Sequence, residues 1–121
     1  MSQICPCGSE KTYQDCCQTF HLQEQVAQTP EQLMRSRYSA FALGNTRYLL
    51  STWHPSTRPS LNLADNPEWV KLQVLTSRSD GDHGFVHFRA FYRAGNELLI
   101  LEEQSRFVRE QGHWFYLDGQ H

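Results

Sequence analysis

Phe85-Val86-His87-Phe88-Arg89-Ala90-Phe91-Tyr92 is the stretch whose periodicity decides the fold. Val86, Phe88, Ala90 and Tyr92 alternate with Phe85, His87, Arg89 and Phe91, so successive side chains fall on opposite faces of a β-strand. Upstream, Leu72, Val74 and Thr76 alternate with polar neighbours, and Asp80-Gly81-Asp82 supplies the turn between the two runs. Downstream, Ala94-Gly95-Asn96 is a second turn, followed by a long strand from about Glu97 to Arg109. Gln111-Gly112 then precedes a last strand, His113 to Leu117. Strands joined this tightly predict a four-stranded antiparallel meander.

Before Pro67 the signals are helical. Thr29-Pro30-Glu31-Gln32 offers an N-cap Thr, Pro at the first helical position and Gln at the capping-box position. Met34, Tyr38 and Phe41 follow at helical spacing, with Leu33 and Ala42 flanking the stripe, and Gly44-Asn45 ends the helix. A shorter helix over about 46–52 carries Tyr48 and Leu49 and stops before His54-Pro55. Residues 18–28 are rich in Gln without periodicity and read as a linker. Helices first and strands afterwards predict an α+β domain with helices packed on one face of the sheet. Dinucleotide, P-loop and nucleophile-elbow glycine patterns are absent from the sequence.

The chain is 121 residues long with 39% hydrophobic and 20% charged residues, values of a globular protein and not of a disordered one. A formal charge of −2 and a pI near 6.3 weigh against a general nucleic-acid binder. No apolar run approaches the roughly 20 residues of a membrane span. Met1-Ser2-Gln3-Ile4-Cys5 lacks the basic-then-apolar pattern of a secretory signal, so the cytoplasm is the expected compartment.

All four cysteines, Cys5, Cys7, Cys16 and Cys17, fall within thirteen consecutive residues. In this C-x-C-x8-C-C pattern Pro6 fixes one backbone angle and Gly8-Ser9 supplies a turn that can bring the two pairs together. Three chemistries compete for the cluster. Zinc takes four thiolates in a tetrahedron about 2.3 Å from the metal, although zinc sites commonly use a wider C-x2-4-C spacing. Two disulfides would staple the same loop but are opposed by a reducing compartment. An iron–sulfur cluster is the third, yet the spacing matches neither common ferredoxin run. A redox dithiol lacks its C-x-x-C.

Cys5-Pro6-Cys7-Gly8-Ser9-Glu10-Lys11-Thr12-Tyr13-Gln14-Asp15-Cys16-Cys17 resembles the SEC-C motif, a small zinc-binding element also found at the C-terminus of the SecA translocation ATPase. The motif reads C-P-C-G-S-x-K-x-[YF]-x-x-C-[CH], and every position is matched. The resemblance implies that the four cysteines ligate one structural zinc, with Lys11 and Tyr13 part of the knuckle. Further resemblance lies in Leu33 to Phe41, in Tyr48-Leu49 and Trp53-His54-Pro55, in Ser105-Arg106-Phe107, and in Trp114 to Gly119. These stretches resemble the YchJ family of bacterial proteins. The implied fold is a cystatin-like α+β cone, the fold of nuclear transport factor two and ketosteroid isomerase, joined to the knuckle. The expected organisation is a knuckle over residues 1–20, a linker over 21–28 and the cone over 29–121. Longer family members repeat the SEC-C motif at their C-terminus, whereas this sequence stops at Gly119-Gln120-His121 without it, which weighs against a two-knuckle, bivalent binding model.

A cone has an interior that can bind. On the long strand Glu103 shares a face with Leu101, Ser105 and Phe107, while Glu102 and Arg106 point the other way. Glu103 is therefore the natural partner for Arg37, either as a structural ion pair or within a pocket for an anionic or aromatic small molecule. In the pocket reading Arg35 or Arg37 holds a carboxylate, Trp53 and Trp114 form apolar walls, and Tyr38, His54 and Arg106 complete the candidate set. An arginine partner would lower the Glu103 pKa, which counts against a general base there. His54 is expected to cap carbonyls at a helix end, and His21, His83, His87, His113 and His121 are too scattered to suggest ligands.

The functional expectation is a non-enzymatic, zinc-containing adaptor whose knuckle docks on a protein or ribosomal partner. The rival is a small-molecule-binding protein or enzyme working through the cone. A homodimer through the exposed sheet face is a further expectation. A nucleic-acid-binding knuckle is disfavoured, because residues 1–17 hold one Lys and two acidic residues.

Overall fold

A computed structural model describes residues 3–64 and 66–120 of the chain. Three α-helices come first, α1 (Cys17–His21), α2 (Pro30–Leu43) and α3 (Thr46–Ser51), followed by four strands. The strands β1 (Glu68–Asp80), β2 (His83–Ala94), β3 (Glu97–Glu110) and β4 (His113–Gln120) form one antiparallel sheet in sequence order. The expected α+β meander is present. No helix among the described residues is long and apolar enough to cross a membrane.

The alternation read from β2 sets the layers. Val86, Phe88 and Ala90 are buried beneath α2, and their β3 partners Ser105, Glu103 and Leu101 continue the same face. Leu33, Met34 and Tyr38 of α2 close over them with Phe107 and Trp114. α2 begins as expected, the Thr29 hydroxyl accepting from the Gln32 amide at 3.1 Å with Pro30 behind it. It ends at Gly44, whose φ of 74° suits a residue without a Cβ, and the Asn45 amide reaches back to the Ala40 carbonyl at 2.8 Å. The Asn45 side chain then caps α3.

Two expectations need correction. Residues 18–28 are not a free linker: Cys17–His21 forms a helical turn, and the Glu24 and Gln25 amides both bond the Thr19 carbonyl. One turn is too short to show a period and too short to persist alone, so neighbours hold it. Strand β1 does not keep strict alternation either. Its register shifts between Trp69 and Lys71 and again between Val74 and Thr76, so Leu75 is half-buried and Thr76 turns out to solvent opposite His87.

Close packing concentrates where α2 starts. A Cβ on Gly84 would fall on Pro30 Cγ and come within 3.0 Å of the Trp114 ring, two groups that cannot swing aside. Gly84→Ala should therefore cost about 1–3 kcal/mol in urea unfolding, whereas the exposed Gly95 position should be limited to the strain of its φ of 62°.

Candidate metal centre and cone cavity

The cysteine segment folds back as the glycine turn predicts. Ile4 and Thr12 form an antiparallel bridge, the Cys5 amide bonds the Lys11 carbonyl at 2.8 Å, and Gly8 takes the turn at φ 87°. A 3-10 turn over Tyr13–Asp15 leads directly into α1, which returns Cys16 and Cys17 to the first pair. All four Sγ atoms lie within 4.8 Å of one another, and Cys7 and Cys16 are 3.6 Å apart. A tetrahedral four-thiolate zinc site needs sulfur–sulfur edges of about 3.8 Å, from bonds of about 2.3 Å. The arrangement could hold a metal ion, and all four cysteines are free.

The thiols are also interdependent. Hydrogen bonds from Cys17 and Cys7 pull the Cys5 thiol far down, while hydrogen bonding with Cys5 and Cys7, together with burial, pushes Cys17 far up.

Helix α2 forms the back of this site. Arg35 Nη1 donates to the Cys7 carbonyl at 2.7 Å, Cys17 Sγ lies 3.7 Å from the Arg35 carbonyl, and Cys5 Sγ lies 3.8 Å from Ser39 Oγ. Ser9 Oγ supports Cys16 Sγ at 3.1 Å. Tyr13 packs on the cluster, and its hydroxyl lies 2.6 Å from His21 Nδ1. His21 Nε2 is 2.8 Å from the Ser36 carbonyl, which can only accept, so Nε2 carries the proton and Nδ1 accepts from Tyr13. Burial lowers the His21 pKa, against the opposing effect of the Ser36 carbonyl. His21 thus fastens the knuckle to α2, a role its isolated position in sequence does not advertise.

An adjoining face of α2 roofs a cavity of about 280 Å³ against the sheet. Arg37, only 2% exposed, sits at its floor with Glu103. Arg37 Nη1 donates to the Leu49 carbonyl at 2.8 Å and to Thr52 Oγ1 at 2.7 Å, and its guanidinium packs against both the Trp53 and Tyr116 rings, which meet each other edge-on. Burial lowers its pKa to about 10, opposed by Tyr116, Tyr48 and the charge of Glu103, so it remains a cation near neutrality. Glu103 Oε2 accepts from Ser105 Oγ at 2.5 Å and from the Tyr116 hydroxyl at 3.1 Å. Gly119 leaves space for that carboxylate, since a Cβ there would overlap the Glu103 side chain.

Of the eight residues expected around the pocket, Arg37, Tyr38, Trp53 and Glu103 come together. Arg35 does not; it is engaged with Cys7 and, through Nε, with Glu31 at 3.0 Å. Arg106 lies on the outer face of the sheet and forks onto Asp118. His54 caps no helix carbonyl with its ring, because both ring nitrogens are engaged elsewhere, with Ser56 Oγ at 2.7 Å and Glu110 Oε2 at 2.8 Å. Trp114 packs towards the start of α2, its indole donating to the Gln28 carbonyl at 3.3 Å. The aromatic residues that the sequence reading did not single out for the cavity are Phe41, Trp69, Phe88 and Tyr116. Tyr116 shares a strand face with Trp114 two residues away, and that alternation was the available signal. His121 lies outside the described residues.

The buried charges give a direct test. Arg37→Met should destabilise the fold by about 3–5 kcal/mol, because a buried cation is lost together with its hydrogen bonds to Leu49 and Thr52 and its attraction to Glu103. Adding Glu103→Gln should recover part of that loss in a double-mutant cycle, and strict additivity would show that the two groups do not interact.

Comparison with known proteins agrees with this architecture. Residues 29–119 match the family model described as the YchJ middle NTF2-like domain, and residues 1–19 match the SEC-C motif. A UPF0225 protein of Vibrio parahaemolyticus is 42% identical over 98% of this chain and 75% of its own length. One of Shewanella sp. strain MR-4 is 46% identical over 95% and 79%. The solution structure of a SEC-C motif containing protein from Rhodopseudomonas palustris superposes with a TM-score of 0.87 at 35% identity, covering 99% of this chain and 98% of that one. The crystal structure of a SEC-C motif containing protein from Psychrobacter arcticus gives 0.82 at 31% identity, covering 96% and 81%. With the fold, the motif and the relatives in agreement, the chain belongs to the YchJ (UPF0225) family, a SEC-C motif followed by an NTF2-like domain.

Proposed function

We propose that the chain is a zinc-containing adaptor, in which Cys5, Cys7, Cys16 and Cys17 hold one structural zinc and the closed knuckle docks on a protein partner, free or on the ribosome. The observation that carries this reading is the approach of four free cysteine sulfurs to within 4.8 Å, with three of the four residues buried. Soft thiolates select zinc over hard cations, and zinc brings no redox change of its own. Four thiolates also fill a tetrahedron, so no position is left for an activated water and the metal's role is to shape. Reduced thiols suit a cytoplasmic setting.

Docking is supported by what the knuckle leaves uncovered. Ile4 is 65% exposed in its bridge with Thr12, an apolar side chain that the knuckle's own fold does not bury. Lys11 alone stands against Glu10 and Asp15, and a four-thiolate zinc adds a formal charge of about −2 by the charges of its parts. Such a surface suits a basic protein and repels a phosphate backbone. A strong chelator should disorder residues 4–20 while leaving the sheet intact, read as loss of knuckle amide dispersion in NMR spectra. Immobilised wild type should retain partners that both Cys16→Ser/Cys17→Ser and Ile4→Asp release, with Ile4→Asp still holding its zinc. Identical partner sets for all three proteins would contradict the adaptor.

A further inference from the structure

The four cysteines are not equivalent. Cys5 and Cys17 lie against α2, Cys5 Sγ 3.8 Å from Ser39 Oγ and Cys17 Sγ 3.7 Å from the Arg35 carbonyl. Cys5, Cys7 and Cys17 are at most 2% exposed, whereas Cys16 is half-buried. Cys16 Sγ meets Ser9 Oγ at 3.1 Å, Cys7 Sγ at 3.6 Å and Cys17 Sγ at 4.0 Å, all within the knuckle. Ser9 Oγ accepts from the Lys11 amide at 3.3 Å. With Cys16 ionised, as a metal ligand must be, the Ser9 hydroxyl is the donor to its sulfur.

An opening of about 220 Å³ adjoins this side of the cluster, lined by Cys7, Cys16 and Cys17 together with Ser9, Lys11 and Arg35. A water molecule takes up about 30 Å³ of the liquid, so a reagent the size of hydrogen peroxide has room beside these residues. Reactive cysteines are those that combine thiolate character with access, and of the four only Cys16 has both.

We infer that Cys16 is a site of oxidation by hydroperoxides, resolved by Cys7 as a Cys7–Cys16 disulfide that opens the knuckle. The inference rests on the reading of the four cysteines as a closed zinc site. Cys16 Sγ attacks one oxygen of the peroxide; the O–O bond breaks, a sulfenic acid forms and hydroxide leaves. Cys7 Sγ then attacks the Cys16 sulfur, the S–O bond breaks and a second hydroxide leaves, both hydroxides taking protons from solvent. The two thiolates give two electrons to the peroxide, and zinc stays divalent. Cys17 is ill placed to resolve Cys16 instead, because adjacent Cα atoms lie about 3.8 Å apart and a disulfide commonly spans at least about 4.4 Å. Cys5 and Cys17 then remain as ligands, too few to close a tetrahedron, so the metal and the order of the knuckle are lost together. Thiol reductants reverse the step.

The test treats zinc-loaded full-length protein with equimolar hydrogen peroxide, following metal release with a zinc-sensitive dye. Free thiols are then alkylated and the chain is cut with trypsin after Lys11, which separates Cys5 and Cys7 from Cys16 and Cys17. Fragmentation between Cys16 and Cys17 in the mass spectrometer locates the link. Zinc should leave in step with a Cys7–Cys16 link, with Cys5 and Cys17 alkylated, and dithiothreitol with added zinc should restore the starting protein. Ser9→Ala, which keeps all four cysteines, should release zinc about threefold to tenfold faster, since the Cys16 thiolate loses the hydrogen bond that restrains it. The wild-type mapping decides the pair without any variant. Zinc kept at millimolar peroxide, a first link between any other pair, or a sulfinic acid at Cys16 without a disulfide would each overturn the inference while leaving the zinc site standing. Protein that holds no zinc before peroxide is added would instead remove the zinc reading, and this inference with it.

Discussion

Four thiols gathered within 4.8 Å cannot all ionise unless a cation lies among them, and the rest of the N-terminal half is arranged around that constraint. Hydrogen bonds among the thiols hold Cys5 low, and the same bonding together with burial holds Cys17 high. A knuckle of this length has no hydrophobic core to offset its chain entropy. On the proposed reading, a structural zinc would supply that stabilisation, on the scale of the about 10–16 kcal/mol of apparent binding free energy of small zinc peptides. The one-turn α1 and the Tyr13–His21–Ser36 hydrogen-bond relay are then consequences of closing the site against α2.

Helix α2 serves two sites because its 3.6-residue period separates its faces. Arg35 and Ser39, four residues apart, look towards the cysteines. Met34, Arg37, Tyr38 and Phe41 occupy the adjoining stripe and look into the cone. The charged residues that line the cone are satisfied locally, Arg37 by the end of α3 and Glu103 by Ser105 and Tyr116. A buried charge pair with this many hydrogen bonds is kept as a unit, since removing either member strands the other.

Much of this was readable from the residues. The period-two run at 85–92 and its turns gave the meander, and Thr29-Pro30 and Gly44 gave both ends of α2. Compact cysteine spacing gave one site, with the turn at Gly8 foreshadowing its closure. What failed did so for identifiable reasons. Bulges in β1 depend on cross-strand partners, so Thr76 was assigned to the wrong face. Arg35 and Arg37 are two residues apart on a helix, which places them about 200° apart around its axis, yet sequence alone did not say which face meets the cone. Trp114 and Tyr116 share a strand face, but β4 crosses from the start of α2 to the cavity between them, and only Tyr116 reaches Glu103. His21 looked isolated because its partners, Tyr13 and Ser36, come from two different elements.

Elemental analysis of untagged protein, purified without added metal, addresses the arrangement at its root. The account requires one zinc per chain, lost together with knuckle order when a chelator is added. A folded, fully reduced knuckle that contains no metal would contradict it, as would iron in place of zinc.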